Sequence, residues 1–281
     1  PLGGSVNIQF ISMVTLSSGW RTAYFVLGIF ALVISVPLGL VMRRRPEDLG
    51  LQPDGQNIET TSLNNTGYVG SSSSIEGLQE GEEISWTTQE AIRAPAFWIV
   101  GIIAVLSLIS SATLGFSMVP YLKDATGMST VQAAGILSFS TVLSLSNIAW
   151  GYLADRYTPK RMLMIALSMT IVLVVYLLFL DSFKEALLFG LMWGLVTGTV
   201  GVLEQMLLAQ YFGRKSYGSI SSLLSPIQML ALGTGPILGA GIRDLTGSYD
   251  QLFTGLIGLY VVALLLLIKV RTPVKFEGIL N

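Results

Sequence analysis

The 281 residues contain no cysteine and no histidine. The first absence removes disulfides, thiolate nucleophiles and thiolate metal ligands. The second removes imidazole ligands and histidine proton relays. Charge is also scarce. Asp, Glu, Lys and Arg make up 12% of the chain, about half of the ~25% that soluble domains carry. So little charge cannot coat a water-facing surface, which excludes a soluble enzyme, a nucleic-acid binder and a disulfide-stapled secreted domain. The balance of 16 basic against 17 acidic residues gives no attraction to polyanions. The sequence carries no nucleophile–base set and no metal-ligand cluster, so no cofactor or metal is expected. It opens at Pro1 without a basic, short-apolar leader, which reads as a piece of a longer protein rather than a secretory start.

What is present is apolar. Hydrophobic residues make up 52% of the chain, with 30 Gly and a mean hydropathy of +0.66. A helix needs about 20 mainly apolar residues to cross the hydrocarbon core. Eight intervals between charged residues qualify: 1–20, 22–42, 94–122, 125–154, 162–180, 186–203 (extending past Glu204 to about 210), 216–242 and 251–268. The first is diluted by Asn7, Gln9 and several Ser. Backbone in lipid must satisfy its own hydrogen bonds, so the fold class is an all-α polytopic membrane protein.

The basic residues test that count. If the 43–93 connection is cytoplasmic and sides alternate, only Arg21, Lys123, Lys184 and Arg243 fall outside. The other twelve of the 16 fall inside, as the positive-inside rule requires. The 43–93 connection itself is polar, with Ser71 to Ser74 in its middle and nine of the 17 acidic residues between 46 and 93. It reads as a largely flexible linker. Near 86–93, Thr87 and Glu90 have capping-box spacing, so a short surface helix is expected before Pro95, with Trp86 and Trp98 among the headgroups.

Polar residues divide the spans. The second, fifth and eighth are nearly free of Ser, Thr, Asn and Gln, whereas the third, fourth, sixth and seventh are rich in them. Polar groups at membrane depth face a bundle interior or a wet cavity, so the sparse spans read as peripheral. Ser107, Ser110, Ser111, Ser117 and Tyr121 form one stripe, and Ser140, Ser144, Asn147 and Gly151 another. Trp193, Thr197 and Glu204 share a face, as do Ser221, Ser225 and Gln228. Candidate cavity residues are Ser110, Tyr121, Ser144, Asn147, Trp193, Thr197 and Gln228. Close helix packing is the better account of any single Ser or Thr in such a stripe, whereas Asn147 and Gln228 are costlier to bury and divide evenly between the two.

Glu204 is the charged residue that falls inside a span, roughly 10 Å from its end by the 1.5 Å rise per residue. It is the candidate proton carrier; the alternatives are a structural partner for an arginine such as Arg214, or exposure to a wet vestibule.

Four stretches point the same way: GYLADRYTPKR (151–161), GWRTAYFVLG (19–28) followed by RRRPEDLGLQPDG (43–55), YFGRKSYGSISS (211–222) and GPILGAGIRDLTGSY (235–249). Together they resemble the major facilitator superfamily, and the resemblance implies a fold of two six-helix bundles with every third helix peripheral. The resemblance implies that the spans are helices five to twelve of twelve. Residues 1–42 would end the N-terminal bundle, 43–93 would be the cytoplasmic central loop, 94–270 a complete C-terminal bundle and 271–281 a cytoplasmic tail. About four helices are then expected ahead of Pro1.

The central loop and EAIRAPAFW (90–98) look most like the bacterial monocarboxylate and oxalate/formate-type branch. Yet 129–150 and 217–241 contain no Lys or Arg, which an anion carrier of that branch is expected to have. The resemblance implies a secondary transporter working by alternating access on a small solute, in a bacterial or archaeal inner membrane. Its partners would be the substrate, the lipid bilayer and a possible coupling proton, with no nucleic acid, in a monomer. Gly151, Asp155, Arg156 and Arg161 would form a cytoplasmic gate, with Gly151 allowing close helix approach. Positive-inside topology also explains the basic members. The alternative function is a transporter-like receptor that binds without flux.

Overall fold

The computed structural model of the chain describes residues 10–11, 13–15, 17–41, 86–213 and 216–273. Most of the expected span 1–20, most of the 43–93 connection and most of the 271–281 tail lie outside the described residues. Two units separate: one holds the N-terminal span, the other residues 83 onward. In the first, α1 (Trp20–Val41) follows Gly19 and carries Pro37 inside it. The Arg21 guanidinium sits over the Trp20 ring at 4.5 Å.

The regular elements of the second unit are all helices among its described residues. It begins with α2 (Thr88–Arg93), whose capping box is complete: the Thr87 amide donates to Glu90 at 2.8 Å and the Glu90 amide to the Thr87 hydroxyl at 3.3 Å. Pro95 then opens α3 (Pro95–Thr126), 32 residues long. At 1.5 Å per residue it reaches roughly 48 Å, more than a bilayer core. After it come α4 (Thr130–Leu143), a 3₁₀ turn (Ser144–Ser146) and α5 (Asn147–Arg156). The remainder is α6 (Pro159–Leu177), α7 (Phe183–Val196), α8 (Thr199–Phe212), α9 (Tyr217–Thr246) and α10 (Asp250–Lys269). Seven helices among the described residues are long and apolar enough to cross a membrane, if α4–α5 and α7–α8 each count as one.

Two expectations need correction. The fourth and sixth spans are not continuous. Ser144 turns its hydroxyl back onto the Thr141 carbonyl at 2.7 Å, a side-chain bond that competes with the helix ladder where the 3₁₀ turn begins. In the sixth, Thr197 is extended (ψ 129°) and Gly198 has φ +80°, a left-handed conformation that suits glycine. Trp86, expected among the headgroups, is instead buried edge-on against Phe212 with ring centroids 5.6 Å apart. Trp98 is half-exposed and donates to the Ile92 carbonyl.

Small residues set the closest packing. Along α9, Ala231, Gly235 and Gly239 recur every fourth residue and face α3. A Cβ at Gly235 would lie 2.7 Å from that of Ala112 and 2.9 Å from the Thr113 backbone nitrogen. The Thr113 hydroxyl donates to the Gly235 carbonyl at 2.9 Å. Gly190 and Gly194 of α7 play the same part against Ser140 of α4, whose hydroxyl reaches the Gly190 carbonyl at 2.6 Å. In lipid the hydrophobic effect does little to hold helices together, so close backbone approach and such hydrogen bonds take over. The helices expected to be peripheral, α6 and α10, pack on each other and on α8 and α3 respectively.

Candidate functional site

The two interruptions meet. Asn147, at the start of α5, accepts a hydrogen bond from the Thr199 hydroxyl at 2.7 Å. The Leu195 carbonyl, beside the break in the sixth span, accepts from Ser146 and from the Trp150 indole, both at 2.9 Å. A Cβ at Gly198 would lie 2.9 Å from the Asn147 amide nitrogen. Backbone groups released by a break must find partners at membrane depth, and here side chains of the other broken span supply them.

Beside this junction lies a cavity of about 330 Å³. Glu204 of α8 and Ser107 of α3 are buried in its wall, and Thr197 enters from the break. Trp193, stacked on Phe189, and Tyr260 of α10 add aromatic faces. Thr170 of α6 bonds its own helix at Ala166. The exposed residues Ser111, Gly115 and Gly201 form the rim, so the cavity opens on one side of the bundle.

Its polar atoms are unpartnered. Glu204 Oε1, Ser107 Oγ and Thr197 Oγ1 are fully enclosed, yet none has a hydrogen-bond partner among the described residues. The other orphans in the described residues, Trp86 Nε1 and Arg243 Nε, lie elsewhere. Ser107 is the neighbour placed to donate a hydrogen bond to Glu204, although the two stand outside ideal geometry. No Lys or Arg lines the cavity. A larger groove of about 590 Å³, walled by Met164, Met169, Met192 and Leu264, is apolar apart from Ser168 and offers no comparable chemistry.

Three of the sequence candidates, Trp193, Thr197 and Glu204, therefore come together. Asn147 sits behind them, holding the break. The others do not line the cavity. Ser110 is buried and donates to the Leu106 carbonyl at 2.8 Å; its neighbours Ser107 and Ser111 face the space instead. Ser144 belongs to the 3₁₀ turn. Gln228 is half-buried on α9, away from this space. Tyr121 donates to the Leu177 carbonyl and packs edge-on against Phe253 at 4.7 Å, pinning α3 to the end of α6. Ser107, Thr170 and Tyr260 complete the lining but are absent from the candidates drawn from the sequence. For Tyr260 a signal existed, a lone polar aromatic in an otherwise aliphatic stretch.

The gate candidates lie at the α5–α6 turn. Asp155, Arg156 and Arg161 are exposed and make no side-chain ion pair with another described residue. Gly151 brings no helix close within the described bundle, since a Cβ there would meet nothing within 4 Å. Thr158 caps α6 by accepting from the Arg161 amide. Lys160 instead donates to the Val270 carbonyl at 2.6 Å, capping the end of α10. The ion pair among the described residues is Arg243 with Asp124 at 3.2 Å, joining the ends of α9 and α3.

Residues 100–278 match the family model described as Major Facilitator Superfamily. The chain belongs to the Major Facilitator Superfamily. No curated protein matches the chain in a direct comparison. The family assignment and the apolar helices make it an integral membrane protein of the transporter class.

Proposed function

We propose that this superfamily member is a secondary transporter that carries a small solute by alternating access, with Glu204 holding a coupling proton. The observation behind the reading is the Glu204 carboxylate, buried inside a spanning bundle without a partner yet facing a cavity that opens at its rim. An ionised carboxylate in that position is costly, and a bound proton or cation removes the cost. A group that is stable only when loaded suits a carrier that takes up and releases its load. Glu204 and Tyr260 are the titratable groups in the lining, with Ser107 and Thr197 as neutral neighbours.

Substrate charge is weighed on the same residues. The central-loop resemblance supports a small carboxylate, but the cavity presents a carboxylate of its own and no cation. The exposed Asp155, Arg156 and Arg161 would serve as the cytoplasmic gate, pairing across bundles in one conformation and parting in the other. A central loop and C-terminus on the cytoplasmic side of a bacterial or archaeal inner membrane, and a monomeric state, complete the reading.

Uptake into vesicles containing the full-length protein tests it, with and without a proton gradient and with Glu204→Gln. Gradient-driven flux lost in Glu204→Gln supports the assignment. Gradient-driven flux unchanged by the substitution removes Glu204 from coupling, and absence of flux for all solutes favours a receptor.

A further inference from the structure

The geometry points to the Glu204 cavity as a binding site for a primary ammonium group, carried on a small apolar body. This rests on the cavity's being the solute site of a transporter, but not on proton coupling.

Three oxygens face the cavity with unfilled hydrogen-bonding capacity: Glu204 Oε1, Ser107 Oγ and Thr197 Oγ1. Glu204 is 7% exposed and Ser107 4%, and the three oxygens lie against the cavity rather than on the outer surface of the bundle. Buried polar atoms in native proteins are nearly always paired, and several orphans sharing one space imply a missing partner. An ionised carboxylate only accepts, and each hydroxyl has lone pairs free, so a donor can serve all three oxygens. A primary ammonium carries one positive charge and three N–H donors, which equals the number of waiting oxygens. An anion is disfavoured because the lining has Glu204 and neither Lys nor Arg.

The remaining walls select what the ammonium is attached to. Trp193 and Tyr260 put aromatic rings in the lining, and Leu108, Val196 and Val200 add aliphatic surface. A bare metal ion would need several more oxygens than these and would leave that apolar surface unused. The volume of about 330 Å³ admits a chain of several carbons.

The test is calorimetric titration of the purified full-length protein with n-butylammonium chloride, against tetramethylammonium chloride, sodium chloride and sodium butyrate as probes. Saturable binding is expected for n-butylammonium alone. Glu204→Gln, which keeps the side-chain shape, should weaken it roughly tenfold or more. Ser107→Ala and Thr197→Val should each weaken it several-fold, and they carry the test if Glu204→Gln does not fold. Equal affinity in wild type and all three variants overturns the site. Tetramethylammonium binding as tightly overturns the role of the N–H donors, and sodium binding in place of the amine overturns the organic ligand. Flux of another solute without amine binding removes this inference and leaves the transporter reading. Amine binding without any flux does the reverse.

Discussion

Asn147 and Thr199 are 52 positions apart in sequence, yet their side chains share a 2.7 Å hydrogen bond at the point where two membrane spans are both interrupted. The bond fixes the break that aims Thr197 into the cavity. Asn147→Ala leaves the Thr199 hydroxyl unpaired at membrane depth. Side-chain hydrogen bonds between membrane helices contribute about 0.6 kcal/mol on average and up to about 1.7. Thermal unfolding in detergent should show a loss in that range, and Thr199→Val should not add fully to it, because both remove the same bond.

Gly198→Ala should cost more than either. It places a Cβ 2.9 Å from the Asn147 amide nitrogen and asks an L-residue to hold φ +80°. The left-handed conformation alone costs roughly 1–2 kcal/mol. Gly201→Ala, three residues on and with nothing within 4 Å of its Cβ, is the control and should leave the unfolding temperature unchanged.

The spans were legible because charge-free runs of the required length are hard to explain otherwise. The sequence also put Trp193, Thr197 and Glu204 on one face, and the cavity joins them. The breaks were not legible. Gly190, Gly194, Gly198 and Gly201 look alike in sequence, but the first two make room for α4 while Gly198 turns the chain into the start of α8. Nor could spacing decide between Ser110, which bonds back to its own helix, and Ser107, which does not. Trp86 shows a similar ambiguity, since an aromatic beside a span suits a headgroup or a buried neighbour equally, and Phe212, which decides it, is distant in sequence.

The α3–α9 seam gives a third stability prediction. Gly235→Val drives side-chain atoms into Ala112 and the Thr113 backbone, where α3 cannot yield without moving the helix. Overpacking of this kind costs about 1–3 kcal/mol. A Cβ at Gly233 on the same helix meets nothing within 4 Å, so Gly233→Val is the control. A similar drop in unfolding temperature for both variants would mean that the seam does not hold the two helices.

The α5–α6 turn separates structure from gating. Lys160 caps the end of α10 through the Val270 and Ile268 carbonyls, at 2.6 and 3.4 Å. A cation at a helix C-terminus contributes about 0.3–1 kcal/mol. Lys160→Met should therefore lower stability by that order. Arg156→Gln and Arg161→Gln remove exposed charges without a described partner and should stay within about 0.5 kcal/mol of wild type. If the turn is a gate, the two arginine variants should nevertheless change transport rate, whereas Lys160→Met should change it only as far as stability does.

The absence of cysteine from the 281 residues makes the cavity's rim directly measurable. Ser111 and Gly201 are exposed at that rim, and Ile165 is exposed on α6, where it lines the apolar groove with Met164 and Met169. A cysteine reacts as the thiolate, which forms in water and not in hydrocarbon. Ser111→Cys and Gly201→Cys should therefore react with a charged, membrane-impermeant thiol reagent, and Ile165→Cys should resist it. A ligand held at Glu204 stands between the rim and the cavity wall, so saturating n-butylammonium should slow labelling at Ser111→Cys and Gly201→Cys. Fast labelling at Ile165→Cys would mean that the groove is wet. Labelling at the rim that the amine leaves unchanged would place any bound amine outside this cavity.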